Sequence, residues 1–203
     1  MFLVASPRCC HDERLQSCIT PNAITVFLIY HHDDYKAAEA FVRDHGHLFE
    51  HTYTRGVTEG DDFVGSPSDD TIIRSIRDRY IHDASLAIVL LGAATWGRRF
   101  VDWEIAAALG TQEDEPLALM ALDVDGRMQS RMPPRLRGAT HASAGHSSVI
   151  YVSLPASSQD VHASAQEAIH NRPRRQSTPA TLLRTDLRSA GEMAAKAAPS
   201  QEV

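Results

Sequence analysis

Apolar positions along this chain gather into four short, nearly unbroken runs: Ile24 to Tyr30, Ser85 to Leu91, Pro116 to Leu122 and Ser148 to Leu154. The first reads Ile-Thr-Val-Phe-Leu-Ile-Tyr and the second Ser-Leu-Ala-Ile-Val-Leu-Leu, the pattern of strands covered on both faces. Leu48 to Val57 is a weaker and more polar strand candidate. Between the runs the spacing turns helical. Tyr35, Ala38, Phe41 and Val42 form one stripe of a helix from Tyr35 to about Asp44, with Asp34 as its cap and Gly46 at its end. After a Gly/Pro loop over 56–70, Asp69 or Asp70 opens a helix to about His82, with Ile72, Ile73, Ile76 and Tyr80 on its buried side. A third helix runs from about Phe100 to Leu109 and stops at Gly110; Ser158 to His170 is a last amphipathic one.

Strands alternating with helices predict an α/β domain: three layers, a central parallel sheet with helices on both faces. Five strands in the flavodoxin-like order fit the length. The domain is expected over 23–157, followed by the terminal helix over 158–170. A leader over 1–22 and a tail over 171–203, rich in Pro, Ser, Ala, Arg and Gln, are expected to lack structure.

Composition narrows the partners. Hydrophobic residues make up 43% and charged residues 23%, so a globular core is expected. With a net charge of −6 the chain has no global basic field to draw it to nucleic acid or anionic lipid, so neither is expected as a partner. No apolar run reaches the roughly 18 residues of a membrane span. The apolar start, Met1 to Ala5, is short and lacks a preceding basic region, which does not read as an export signal. Cys9, Cys10 and Cys18 then read as reduced thiols of a cytoplasmic protein. With His11 they form one ligand knuckle where a structural zinc site joins two, so no metal is expected.

In an open parallel sheet, ligands bind beyond the carboxyl ends of the strands. That rule selects His31, His32, Asp33 and Asp34 after the first strand, Ala93 to Arg99 after the third and Asp123 and Asp125 after the fourth. Glu104 shares a helix face with Phe100 and is flanked by Trp103 and Ile105. It is either a functional carboxylate or an ion-pair partner of Arg98 or Arg99. Asp102 lies about 200° round the helix from it. His45 and His47 read as solvated, as do Arg127, Arg131, Arg135 and Arg137 around Pro133-Pro134.

The stretch Val26-Phe27-Leu28-Ile29-Tyr30-His31-His32-Asp33-Asp34 resembles the opening of the TIR-like family that includes the Thoeris antiphage sensor proteins. The resemblance continues through Ile76-Arg77-Asp78-Arg79-Tyr80-Ile81, Ala87-Ile88-Val89-Leu90-Leu91-Gly92 and Thr95, and ends in Arg98-Arg99-Phe100-Val101-Asp102-Trp103-Glu104-Ile105. It covers roughly 24–123. It implies the flavodoxin-like TIR fold and, in enzymatic members, cleavage of NAD at the nicotinamide–ribose bond, NAD being substrate and no further cofactor being needed. The family's catalytic glutamate maps onto Glu104. Tyr30, His31, His32, Asp33, Asp34, Arg98, Arg99, Phe100 and Trp103 would line the substrate pocket. Family members commonly carry Trp four residues before that glutamate; Phe100 keeps the aromatic face and loses the indole N–H. The resemblance further implies a homo-oligomer and a downstream effector that responds to a nucleotide product.

Two other readings share the fold. A non-catalytic adaptor acting by homotypic assembly would present the same core with an idle pocket. A phospho-receiver domain would need an acceptor Asp after the third strand, where Gly92-Ala93-Ala94-Thr95 stands. It would also need a Lys after the last, where Leu154-Pro155 stands. The receiver reading fails.

Overall fold

The computed structural model describes residues 23–81, 83–111, 114–124, 132–141, 149–172 and 181–187. The expectations for the cysteine leader and for Asp125, Arg127 and Arg131 lie outside them. Five strands form one sheet in the order β2-β1-β3-β4-β5. They are β1 (Thr25–Ile29), β2 (His51–Tyr53), β3 (Leu86–Leu91), β4 (Ala118–Asp123) and β5 (Val149–Ser153). Every pairing is parallel, with β3 and β4 in register from Leu86 opposite Ala118 to Leu91 opposite Asp123. This is the flavodoxin-like α/β arrangement that the alternation predicts.

Alternate residues of the central strands feed two cores, as the two-residue period of a strand requires. Phe27, Ile29, Ala87, Val89, Leu91, Leu119 and Ala121 pack with α2 (Asp69–Ile76), α3 (Arg99–Leu109) and α4 (Pro134–His141). Val26, Leu28, Leu86, Ile88, Leu90, Met120 and Leu122 pack with α1 (Tyr35–His45) and α5 (Ser158–His170). Connections leave β1 and β3 toward opposite faces, which opens a crevice at their carboxyl ends.

Several local expectations change. Ser68, not an aspartate, caps α2 by accepting the Thr71 amide at 3.3 Å, and Asp69 and Asp70 sit in the first turn beside the positive helix end. Asp34 precedes α1 but makes no cap hydrogen bond with its side chain. His45 is buried against Phe41 and within 3.3 Å of the Ser158 hydroxyl, so it is not solvated. The basic segment expected as loop contains α4, which starts at Pro134, where a missing N–H costs nothing. Arg135 of that helix is ion-paired rather than solvated.

The expectation of a structureless tail does not hold over 181–187. Leu182 is 3% exposed in the core shared by α2 and α3. The backbone around it finds partners on both helices: Leu182 N–H donates to Asp69 Oδ2 at 3.0 Å and Leu183 N–H to Asp102 Oδ2 at 3.0 Å. One buried leucine and satisfied backbone groups offset the entropy of ordering this short stretch.

Candidate active site around Glu104

The helix α3 is apolar nearly all round, because it lies between the sheet, α2 and α4. A carboxylate at its second turn is therefore carried into the protein. Glu104 is 4% exposed. Its Oε1 accepts the Val57 amide at 2.7 Å, and among the described residues no cation pairs with it. Burial raises its pKa to about 8, the Asp61 charge adding to that rise and the Val57 hydrogen bond opposing it. Arg98 and Arg99, the ion-pair partners that the sequence allows, are engaged elsewhere.

The loop between β2 and α2 covers this carboxylate. A Cβ on Gly56 would overlap Oε1 of Glu104, so the backbone can approach this closely only because residue 56 is glycine. Farther along, Asp61 accepts the Tyr80 hydroxyl at 2.6 Å and the Thr58 amide at 2.7 Å. Burial and this bond push the Tyr80 hydroxyl up to about 12. Arg99 pairs with Glu59 of the same loop while its guanidinium lies over the rings of Phe100, 4.5 Å away, and Trp103, 5.9 Å away. The two rings meet edge to face at 5.4 Å.

At the end of β1 the chain makes a turn that brings His31, His32 and Asp33 together. Their nitrogen and oxygen atoms lie within 4.8 Å of one another, a spacing that suits a small cation, although His31 Nδ1 already accepts the Asp33 amide. Burial and the neighbouring Arg98 and His32 charges hold the His31 imidazole below its ordinary value. Asp34 crosses the crevice: its Oδ2 takes the Ala94 amide at 3.2 Å and the Thr95 hydroxyl at 2.8 Å. Gly92 leaves the space for it, since a Cβ there would overlap the Asp34 carboxyl. Asp34 thus ties the β1 turn to the β3 turn instead of capping α1.

The remaining expected pocket residues fall under the 181–187 segment. Trp103 is 1% exposed, and its indole N–H donates to the Leu183 carbonyl at 2.6 Å. Arg98 donates to the Ala94 carbonyl at 2.9 Å and to Asp186 at 3.0 Å. Asp186 also accepts the Arg99 amide at 2.8 Å, and so closes the N-terminal end of α3. An open groove of about 490 Å³ lies beside the site, lined by Tyr30, Tyr35, Ala38, Glu39, Val42, Arg43 and Thr54. Of the pocket residues expected from sequence, Tyr30 alone lines it. Burial raises the Tyr30 hydroxyl, and the negative charges of Glu104 and Glu39 raise it further. Tyr30 thus stands between groove and carboxylate, with its hydroxyl on the Thr54 carbonyl at 3.1 Å.

Gly56, Val57, Arg135 and the 181–187 segment escape a local reading. The leucines Leu182, Leu183 and Leu187, in a tail otherwise poor in large apolar residues, are the trace that the last of these leaves in the sequence.

A five-stranded parallel sheet in this order, with a buried carboxylate on the helix after β3, is a flavodoxin-like α/β domain with an acidic site beside its crevice, an arrangement that TIR-like domains share. The model of the family described as Thoeris protein ThsB, TIR-like domain, matches residues 27–128, half of the chain, and the chain belongs to that family. No curated protein and no solved structure matches it.

Proposed function

We propose that this protein cleaves NAD at the nicotinamide–ribose bond, with Glu104 as the carboxylate that stabilises the oxocarbenium-like ribose. The observation that carries this reading is the buried carboxylate of Glu104, met by one amide and by no cation among the described residues. Nicotinamide in NAD is a cationic leaving group and needs no general acid. The C1′–N bond breaks with its electron pair going to nicotinamide, and positive charge develops on the ribose. An unpaired carboxylate in a low-dielectric site favours that charge strongly. The arriving cation would also draw Glu104 toward its ionised form. Water attacking C1′ gives ADP-ribose and a proton; an internal nucleophile of the ADP-ribose part gives a cyclic product instead.

Tyr30, the His31–Asp34 turn, Arg98, Arg99, Phe100 and Trp103 are proposed to position the substrate once the covering loop moves. The nucleotide product would act in the cytoplasm as an antiphage signal read by a downstream effector, with the chain working as a homo-oligomer. Purified protein incubated with NAD, with products resolved by mass, tests this directly. Nicotinamide should appear together with ADP-ribose or its cyclic form. Glu104→Gln should lower the rate on the order of 100-fold or more. Wild-type turnover by Glu104→Gln would refute the assignment.

One observation favours a second reading. The Gly56–Val57 backbone seals Glu104 from solvent, as it would in an adaptor whose pocket is idle and which acts by homotypic assembly. Absence of NAD turnover by an assembled form of the chain would favour this reading.

A further inference from the structure

We propose that residues 181–187 form a latch that holds the loop over Glu104 shut, so that the chain in this state is closed to its substrate and opens when the segment lets go. The proposal rests on the reading of Glu104 as the NAD-cleaving carboxylate.

The segment reaches the loop directly at one place and through Arg99 at a second. Arg184 donates to the Ser66 carbonyl at 2.8 Å and to the Pro67 carbonyl at 2.9 Å, and it pairs with Asp69. These contacts pin the end of the loop where it enters α2. Asp186 fixes the start of α3 by taking the Arg99 amide and the Arg98 guanidinium, and the same Arg99 holds Glu59 in the middle of the loop. Loop, helix end and segment are thus joined through one arginine. Leu187 N–H adds a bond to the Gly97 carbonyl at 2.7 Å. Gly97 has φ +68, and a Cβ there would meet Leu187 Cβ at 2.9 Å, so this turn admits the segment through a glycine.

The construction suits release. Leu182 is the segment's one buried apolar anchor, while Arg184, Asp186 and Leu187 are exposed. Exposed ion pairs hold weakly and give way to competing charge or salt. The loop itself shows what release would free: the Val57 amide sits on the carboxylate, and substrate cannot reach Glu104 until Gly56 and Val57 withdraw. Burial raises the Glu104 carboxyl to about 8 and so favours its neutral form in the closed state, and hydration on opening would favour the charge that the reaction uses.

The full-length chain carrying Arg184→Ala and Asp186→Ala tests the latch by two readouts, hydrogen exchange and NAD turnover. Leu182 is kept, so the core anchor stays. Exchange across 54–67 should quicken by about tenfold or more, while the amides of β3 and β4 keep their protection. NAD cleavage should rise severalfold, and adding Glu104→Gln should remove the gain. Unchanged exchange over 54–67 overturns the latch, whatever the activity. Faster exchange with unaltered NAD cleavage overturns the claim that the latch gates the site. If neither form cleaves NAD, the catalytic reading fails, while the exchange result still decides whether the segment holds the loop.

Discussion

Asp102 and Glu104 lie on the same helix, 5% and 4% exposed, yet their surroundings differ in kind. Asp102 receives Arg135 through two hydrogen bonds, at 2.7 and 2.9 Å, and the Leu183 amide at 3.0 Å. Its charge is fully answered, and in being answered it fastens α3 to α4 and to the 181–187 segment. Glu104 receives one amide from a loop that must come close because residue 56 is glycine. Equal burial therefore says little about a carboxylate's role. The compensation around it separates a structural acid from one held ready for a positive charge.

The largest expected effect breaks the structural side of the comparison. Asp102→Ala leaves the mostly buried Arg135 without its carboxylate, with the Thr181 carbonyl as its remaining acceptor, and the Leu183 amide without an acceptor. The cost should be roughly 3–5 kcal/mol in denaturant unfolding. A loss below about 1 kcal/mol would show that the pair behaves as an exposed one.

Next in size is Gly56→Ala, which drives a methyl group into the Glu104 carboxylate. The expected loss is about 1–3 kcal/mol, as for other overpacked sites. Combining it with Glu104→Ala should relieve most of that loss, because the two changes share one contact. Strict additivity in this double-mutant cycle would mean that the loop does not press on Glu104.

A smaller effect is expected at the β1 turn. Asp34→Ala removes the acceptor for the Ala94 amide and the Thr95 hydroxyl and should cost about 1–2 kcal/mol. Asp34→Asn keeps an acceptor and should lose less. Were Asp34 a simple helix cap, the loss would show as fraying of α1; hydrogen exchange at Lys36 to Ala38 against that at Ala94 and Thr95 separates the two roles.

Smallest in stability is Arg184→Ala, at most about 1 kcal/mol, since the side chain is largely exposed. Its mark should lie in the exchange of the 54–67 loop rather than in the unfolding midpoint. A drop of several kcal/mol would recast the segment as part of the core.

Much of this fold was legible in the residues themselves. Val26 to Ile29, Leu86 to Leu91 and Leu119 to Leu122 are apolar on both faces, the pattern of strands in a covered sheet, and the helices between them make that sheet parallel. The helix from Arg99 to Leu109 and its stop at Gly110, with φ +75, follow from composition and one glycine. The place of Glu104 beyond β3 followed from topology. Its lid did not, because Gly56 gives no sign in sequence of which carboxylate it must clear. Arg135 and Leu183 were illegible for the same reason: their partner, Asp102, lies 33 and 81 positions away, and no local period encodes such a pair. Asp34 shows a local rule overruled, its carboxylate preferring two donors from a distant turn to the end of its own helix.

The measurement that bears most directly on the central contrast is the stability of the parent and of Glu104→Gln as a function of pH. A carboxyl whose pKa is raised on folding costs nothing below about 4.5, where folded and unfolded chains both hold the proton. The cost grows as pH climbs toward 8, because the unfolded chain gives its proton up first, and it levels off above that. Gln at this position carries no such cost and can still accept the Val57 amide. The variant's advantage over the parent should therefore widen between pH 5 and 8, by no more than about 1.4 kcal/mol per pH unit. A difference that stays constant across this range, or one that favours the parent as pH rises, would mean that Glu104 is compensated like Asp102 and is not held ready for a cation.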